Sequence, residues 1–275
     1  MDERWHHDVI GHRDIGPHDE STGQWYPPGV RRLDLLGGLA YWDGRGSVPL
    51  HGSAGAVVAL IALSPAPVER TVAAGTIWGE VGESRANGNL RSTLWRLRKT
   101  AEGLVDEDHG RLAIDHDVSI DHRDVAAWSD RLIRGDATDA DLDRRISPVD
   151  MELLPGHYDD WVVFERERLR QRLLHAVEAL ALAQARRGRY GDAIESAMVA
   201  IAADPMRESA HKVAVQCHLA EHNVVEAYRE QHAYVEIMDR ELGIAPSDEF
   251  MRLVPSAVVE TLGQPRVDVG HRVSH

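Results

Sequence analysis

Arg85, Arg91, Arg96, Arg98 and Lys99 stand in a window of residues, 84–101, that contains no Asp and no Glu. Asn87, Asn89, Ser92 and Trp95 lie in the same window. These side chains have a definite chemistry in common. Guanidinium and ammonium groups attract phosphate oxygens and displace their counterions. Arg can hold a guanine edge through two hydrogen bonds, and Asn can do the same for adenine. The chain around the window is acidic, with a formal net charge of -14. Residues 31–101 carry nine cations against five acids, whereas residues 102–160 carry six against 17. The acidity is therefore concentrated just after the basic window and not within it.

On a helix of 3.6 residues per turn, Leu90, Leu94, Leu97 and Ala101 form one apolar stripe that must face a core. Arg91, Trp95 and Arg98 repeat the same spacing on another face, flanked by Ser92, Arg96 and Lys99. The preceding "SRANGN" supplies short polar groups and an expected N-terminal cap. On composition alone the helix reads equally as a solvated basic surface or as a DNA-reading element, and its place in the chain decides between them. "RRLDLLGGLAYWDGRGSVPL" has the short apolar runs and glycine turns of strands. Residues 53–63 and 68–79 read as two short helices, the basic helix is the third, and residues 110–121 alternate as a closing hairpin. Strands, three helices and a hairpin make a winged-helix module.

The expected architecture is mainly α with a small β component. A tail (1–30) precedes a winged-helix domain (31–121), an all-α, tetratricopeptide-like domain (122–255) and a C-terminal tail (256–275). Within the helical part, "DATDADLDRR" reads as a polar, acidic joint. Gly188, Tyr190, Ala193, Ala197, Ala200 and Pro205 have the offsets of half a tetratricopeptide repeat, and a 34-residue period carries Ala193 onto Ala227. A generic bundle of helical hairpins is the plainer alternative. Cys217, the one cysteine, sits in an apolar helical pattern and reads as core. The run "DEDH" (106–109) evokes the carboxylate cluster of a nuclease, but four adjacent loop residues, three acids and a histidine, cannot all converge on one ion. His6, His7 and His12 could hold a metal adventitiously, but a solvated tail is the plainer reading. No phosphate-binding loop, zinc-protease motif or nucleophile elbow occurs, so no enzyme, metal or cofactor is expected. No apolar run is long enough to span a bilayer, and the first residues lack a secretory core, so the expected place is the cytoplasm.

The third helix, with "LRSTLWRLRK", resembles the recognition helix of OmpR-like winged-helix domains, whose Arg-Leu-Arg-Lys ending is matched by residues 96–99. "LLPGHYDDWVVFERERLRQRLLHAVEALA" (153–181) looks like the start of the bacterial transcriptional activator domain, which closes on "ELG-x-x-PS", here Glu241 to Ser247. This layout is that of the SARP-type activators of secondary-metabolite gene clusters. The resemblance implies binding to direct repeats in double-stranded promoter DNA, self-association on DNA and recruitment of RNA polymerase holoenzyme. Carried onto this chain it assigns Arg85, Asn87, Asn89, Arg91, Ser92, Trp95, Arg96 and Lys99 to bases and phosphates. Arg98 is left to internal packing or pairing. The wing, "VDEDHGRLAIDHD", departs from the pattern: its acids repel phosphate and Arg111 is its one cation. Either Arg111 alone reaches the backbone or the wing stands off. A scaffold whose winged helix binds DNA weakly or not at all is the competing reading.

Overall fold

The computed structural model describes residues 29–146 and 151–255. The two expected tails lie outside the described residues, apart from positions 29 and 30. The chain forms two compact units. The first runs to Asp124 and includes Leu154–Gly156; the second holds Val125–Leu153 and continues from His157.

In the first unit, strands β1 (Arg31–Asp34), β2 (Ala40–Trp42) and β3 (Ser47–Val48) form an antiparallel ribbon. Helix α1 (Gly52–Leu63) is apolar on all sides and correspondingly buried at Val57, Val58, Ala59 and Ile61. Glycine at position 55 suits the close approach of the backbone, because a Cβ would lie 3.0 Å from the Leu50 carbonyl oxygen. The helix ends at Ser64, whose hydroxyl returns to the Leu60 carbonyl at 2.7 Å, just before Pro65. The short strand β4 (Val68–Glu69) leads into α2 (Arg70–Ile77), and α3 (Glu83–Thr100) follows. The expected second helix thus starts two residues late. Val68 instead pairs with Leu112 in a three-stranded sheet of order β4-β6-β5.

That sheet contains the hairpin of β5 (Val105–Asp108) and β6 (Arg111–Ile114). Its two-residue turn puts His109 at φ 47° and Gly110 at φ 75°, the left-handed pair that suits the twist of two joined strands. The hairpin therefore covers residues 105–114 and not 110–121. Strand β7 (Val118–Ile120) leaves it to lie parallel to β1, because Val118 and Ile120 bury their side chains in the first unit's core. This is a winged-helix fold.

Helix α4 (Asp121–Arg134) crosses from one unit to the other in sequence. The expected acidic joint is folded: α5 (Asp139–Asp143) starts with a capping box in which the Thr138 hydroxyl accepts from the Asp141 amide and the Asp141 carboxylate accepts from the Thr138 amide. Asp141 can be buried there because Arg131 donates to it at 2.6 and 3.0 Å. The remaining helices are α6 (Asp160–Arg186), α7 (Tyr190–Ala203), α8 (Glu208–Ala220), α9 (Val224–Leu242) and the single turn α10 (Asp248–Met251). Ala193, Ala197 and Ala200 are wholly buried, as is Ala227 one period later, so small residues let these helices approach closely. Gly188 and Gly243 supply the left-handed turns that end α6 and α9. Cys217 is core, and burial pushes its thiol up to about 11. Among the described residues, no helix is long and apolar enough to cross a membrane.

Candidate nucleic-acid interface

Helix α3 is docked by the stripe read from sequence: Leu90, Leu94, Leu97 and Ala101 are buried, joined by Ala86 and Thr93. The opposite surface holds Arg85, Arg91, Ser92, Trp95, Arg96, Arg98 and Lys99, all exposed, while Asn87 and Asn89 are half-buried. The helix begins earlier than expected. Its N-cap is Gly82, without a side-chain cap, and Glu83 lies in the first turn. An acid there already answers the positive end of the helix dipole and makes the N-terminus less open to a phosphate. At the other end Arg98 and Lys99 complement the carbonyls of the last turn.

The cations of this helix are held in different ways. Arg98 donates to Glu107 at 2.8 Å, and the other oxygen of Glu107 accepts from Arg70 at 2.6 Å. One carboxylate from β5 thus ties the end of α3 to the start of α2. Arg96 donates to the Thr93 hydroxyl at 3.2 Å and reaches Ser53, at the start of α1, at 3.4 Å. Lys99 lies 4.0 Å from the centre of the Trp95 ring. Arg85 and Arg91 have no ion pair among the described residues. Asn87 donates to the Glu83 carbonyl at 3.0 Å and Ser92 to the Gly88 carbonyl at 3.1 Å. Arg111 stands at the wing tip, 3.7 Å from Glu69, with both side chains more than half exposed. Among the described residues, Asp106 has no ion pair, and the Asp108 carboxylate meets the exposed His109 at 2.6 Å.

The Arg70–Glu107–Arg98 clamp was not legible in the sequence. Glu107 stood out only as one of several acids, and 37 residues separate it from Arg70. The adjacent acids do not converge on one point. Instead Asp106, Asp115 and His116 each bring one ligand atom within 4.8 Å of the others, with Asp115 already held by Arg31 at 3.3 Å.

The second unit shows the opposite use of the same residue type. Arg207, 13% exposed, donates to Glu178 at 2.7 Å, to Gln171 and to His175, and Ser209 also donates to Glu178. This network joins α6 to the start of α8.

Residues 150–256 match the family model of the bacterial transcriptional activator domain. The structure of Mycobacterium tuberculosis EmbR in complex with a low-affinity phosphopeptide has a similar fold, with a TM-score of 0.63 at 18% identity, covering 86% of this chain. The chain spans only 66% of the length of that structure. No curated protein matches the chain by sequence. The domain match and the likeness in fold support the resemblance to SARP-type transcriptional activators and its order of a winged helix followed by a helical domain.

Proposed function

We propose that the chain is a sequence-specific DNA-binding activator of transcription in the cytoplasm. Copies bind direct repeats in promoter DNA through the outward face of α3, associate side by side, and recruit RNA polymerase holoenzyme through the helical unit. The genes of a secondary-metabolite cluster are the targets that the resemblance implies. The supporting observation is the face itself: Arg85 and Arg91 project from it without an ion pair among the described residues, in a chain of net charge -14. Charge left unpaired on one docked helix is available to phosphates and base edges.

Five cations, Arg85, Arg91, Arg96, Lys99 and Arg111, can meet phosphate or base. If all five do so, log K falls with log salt at a slope of about -4 to -5. Fluorescence anisotropy of the full chain on its best duplex, selected from a randomised pool, measures this slope. A flat response, or no enrichment of any sequence, removes the reading. The exposed acids Asp106 and Asp108 of the wing favour the second reading, a scaffold with a retired winged helix. In that case the chain shows no selective binding and purified polymerase gains no transcription from the selected site.

A further inference from the structure

Trp95 is 57% exposed, an unusual place for the largest side chain on an otherwise polar helix face. The Lys99 ammonium covers one face of the ring at 4.0 Å, so the exposed part is the opposite face and the rim. Arg98, one turn further on, is drawn away to Glu107, and Arg91, one turn back, is unpaired among the described residues. The indole N–H has no acceptor among the described residues. Trp95 therefore offers two things side by side: an apolar rim and a single hydrogen-bond donor.

Only one base edge in the major groove matches that pair. Thymine shows an acceptor, O4, next to an apolar group, the 5-methyl. Adenine and guanine offer acceptors but no methyl, and cytosine offers an amino donor and no methyl. We infer that Trp95 reads a thymine, with its rim on the 5-methyl group and its N–H toward O4. This inference rests on the DNA-binding reading above and names the base that one residue of that site selects.

The test uses the full chain and the highest-affinity duplex it selects from a randomised pool. Each thymine is replaced in turn by deoxyuridine, which removes the methyl and nothing else. At one position per half-site the wild-type chain binds about fourfold more weakly, the worth of one buried carbon group. Trp95→Ala binds the parent duplex more weakly and gives equal affinity for thymine and uracil at that position. Trp95→Phe, which keeps an apolar rim and lacks the donor, retains the methyl response. The side chain is exposed, so both variants keep the fold, and circular dichroism checks this. Uracil tolerated at every position, or a fourfold loss that persists in Trp95→Ala, overturns the inference while leaving DNA binding intact. Failure to enrich any duplex overturns the DNA-binding reading and this inference together.

Discussion

Arginine does opposite work in the two units. On α3, Arg85 and Arg91 are exposed and have no ion pair among the described residues. In the helical unit Arg207 is nearly buried and saturated, with Glu178, Gln171 and His175 as partners. A guanidinium already paired has paid its desolvation and holds a fold together. One left in water keeps its charge for a partner that brings phosphate. Composition cannot separate the two uses; the position of acids in space does.

Removing a partner from the saturated kind gives the largest effect. Arg207→Ala leaves the Glu178 carboxylate, 8% exposed, with the Ser209 hydroxyl but without its guanidinium partner. Breaking a buried pair from one side costs about 3–5 kcal/mol. Urea unfolding of the full chain should show that loss in the helical unit, with selective DNA binding kept while the chain stays folded. A loss below 1 kcal/mol would mean that the network is surface decoration and that the contrast is false.

Two buried carboxylates extend the comparison to pH. Burial pushes Asp121 up to about 7, against the pull of the Leu36, Leu35 and His122 amides that donate to it; nearby Asp34 adds to the rise. Asp141 goes the other way, held well below the usual carboxylate range by hydrogen bonds from Arg131 and from Thr138. The signs follow. The folded state keeps the proton of Asp121 when the unfolded state has lost it, so its contribution is full below about pH 4 and is lost as pH rises to about 7. That loss is on the order of 3–4 kcal/mol and disappears in Asp121→Asn. Asp141 contributes above about pH 4 and loses its contribution as pH falls below that. Asp141→Ala removes the N3 half of the capping box and the acceptor of Arg131, and costs about 1.5–3 kcal/mol at neutral pH, the worth of hydrogen bonds to a charged group. Unfolding midpoints for wild type and both variants from pH 2 to 8 measure each difference.

Among the unpaired cations the expected effects are smaller and concern binding. Arg91→Ala should cost about 1–3 kcal/mol on the selected duplex and relax preference at one base pair. Lys99→Ala, near the helix end, should weaken selected and scrambled duplexes alike. Equal losses on both duplexes for Arg91→Ala would reassign it to phosphate contact.

How much of this was legible in the sequence depends on the range of the interactions. The leucine stripe of α3 was readable because helical period alone sets which side is buried. The alanines of α7 were readable for the same reason. Strand β4 was not: two residues beside a helix carry no period, and only the approach of Leu112 makes them a strand. The folded turn at Thr138 looked like a linker because acids dominate it, and the Arg131 that neutralises Asp141 lies ten residues away. The start of α3 was misplaced because the short polar residues that resemble caps lie inside the helix, after Gly82. At the site, the outward face was visible as a pattern. Arg98 was set aside for packing or pairing, but its partner was not visible, because Glu107 reaches Arg98 and Arg70 only in the folded wing.

The wing provides the finest test of the contrast between paired and free charge. Asp108 lies beside the β5–β6 turn, almost fully exposed, with Arg111 opposite it in the hairpin. If the tip approaches the duplex, its carboxylate opposes the phosphates, and Asp108→Asn removes that repulsion without touching the Glu107 clamp. The gain is a few tenths of a kcal/mol, because salt and water screen an exposed charge. It should therefore be measured at about 50 mM salt, and it should vanish near 0.5 M. The variant should bind selected and scrambled duplexes more tightly by the same factor, since phosphate carries no sequence. If affinity is unchanged at low salt while Arg111→Ala is also silent, the wing stands clear of the DNA, and the free cations of α3 carry the contact alone.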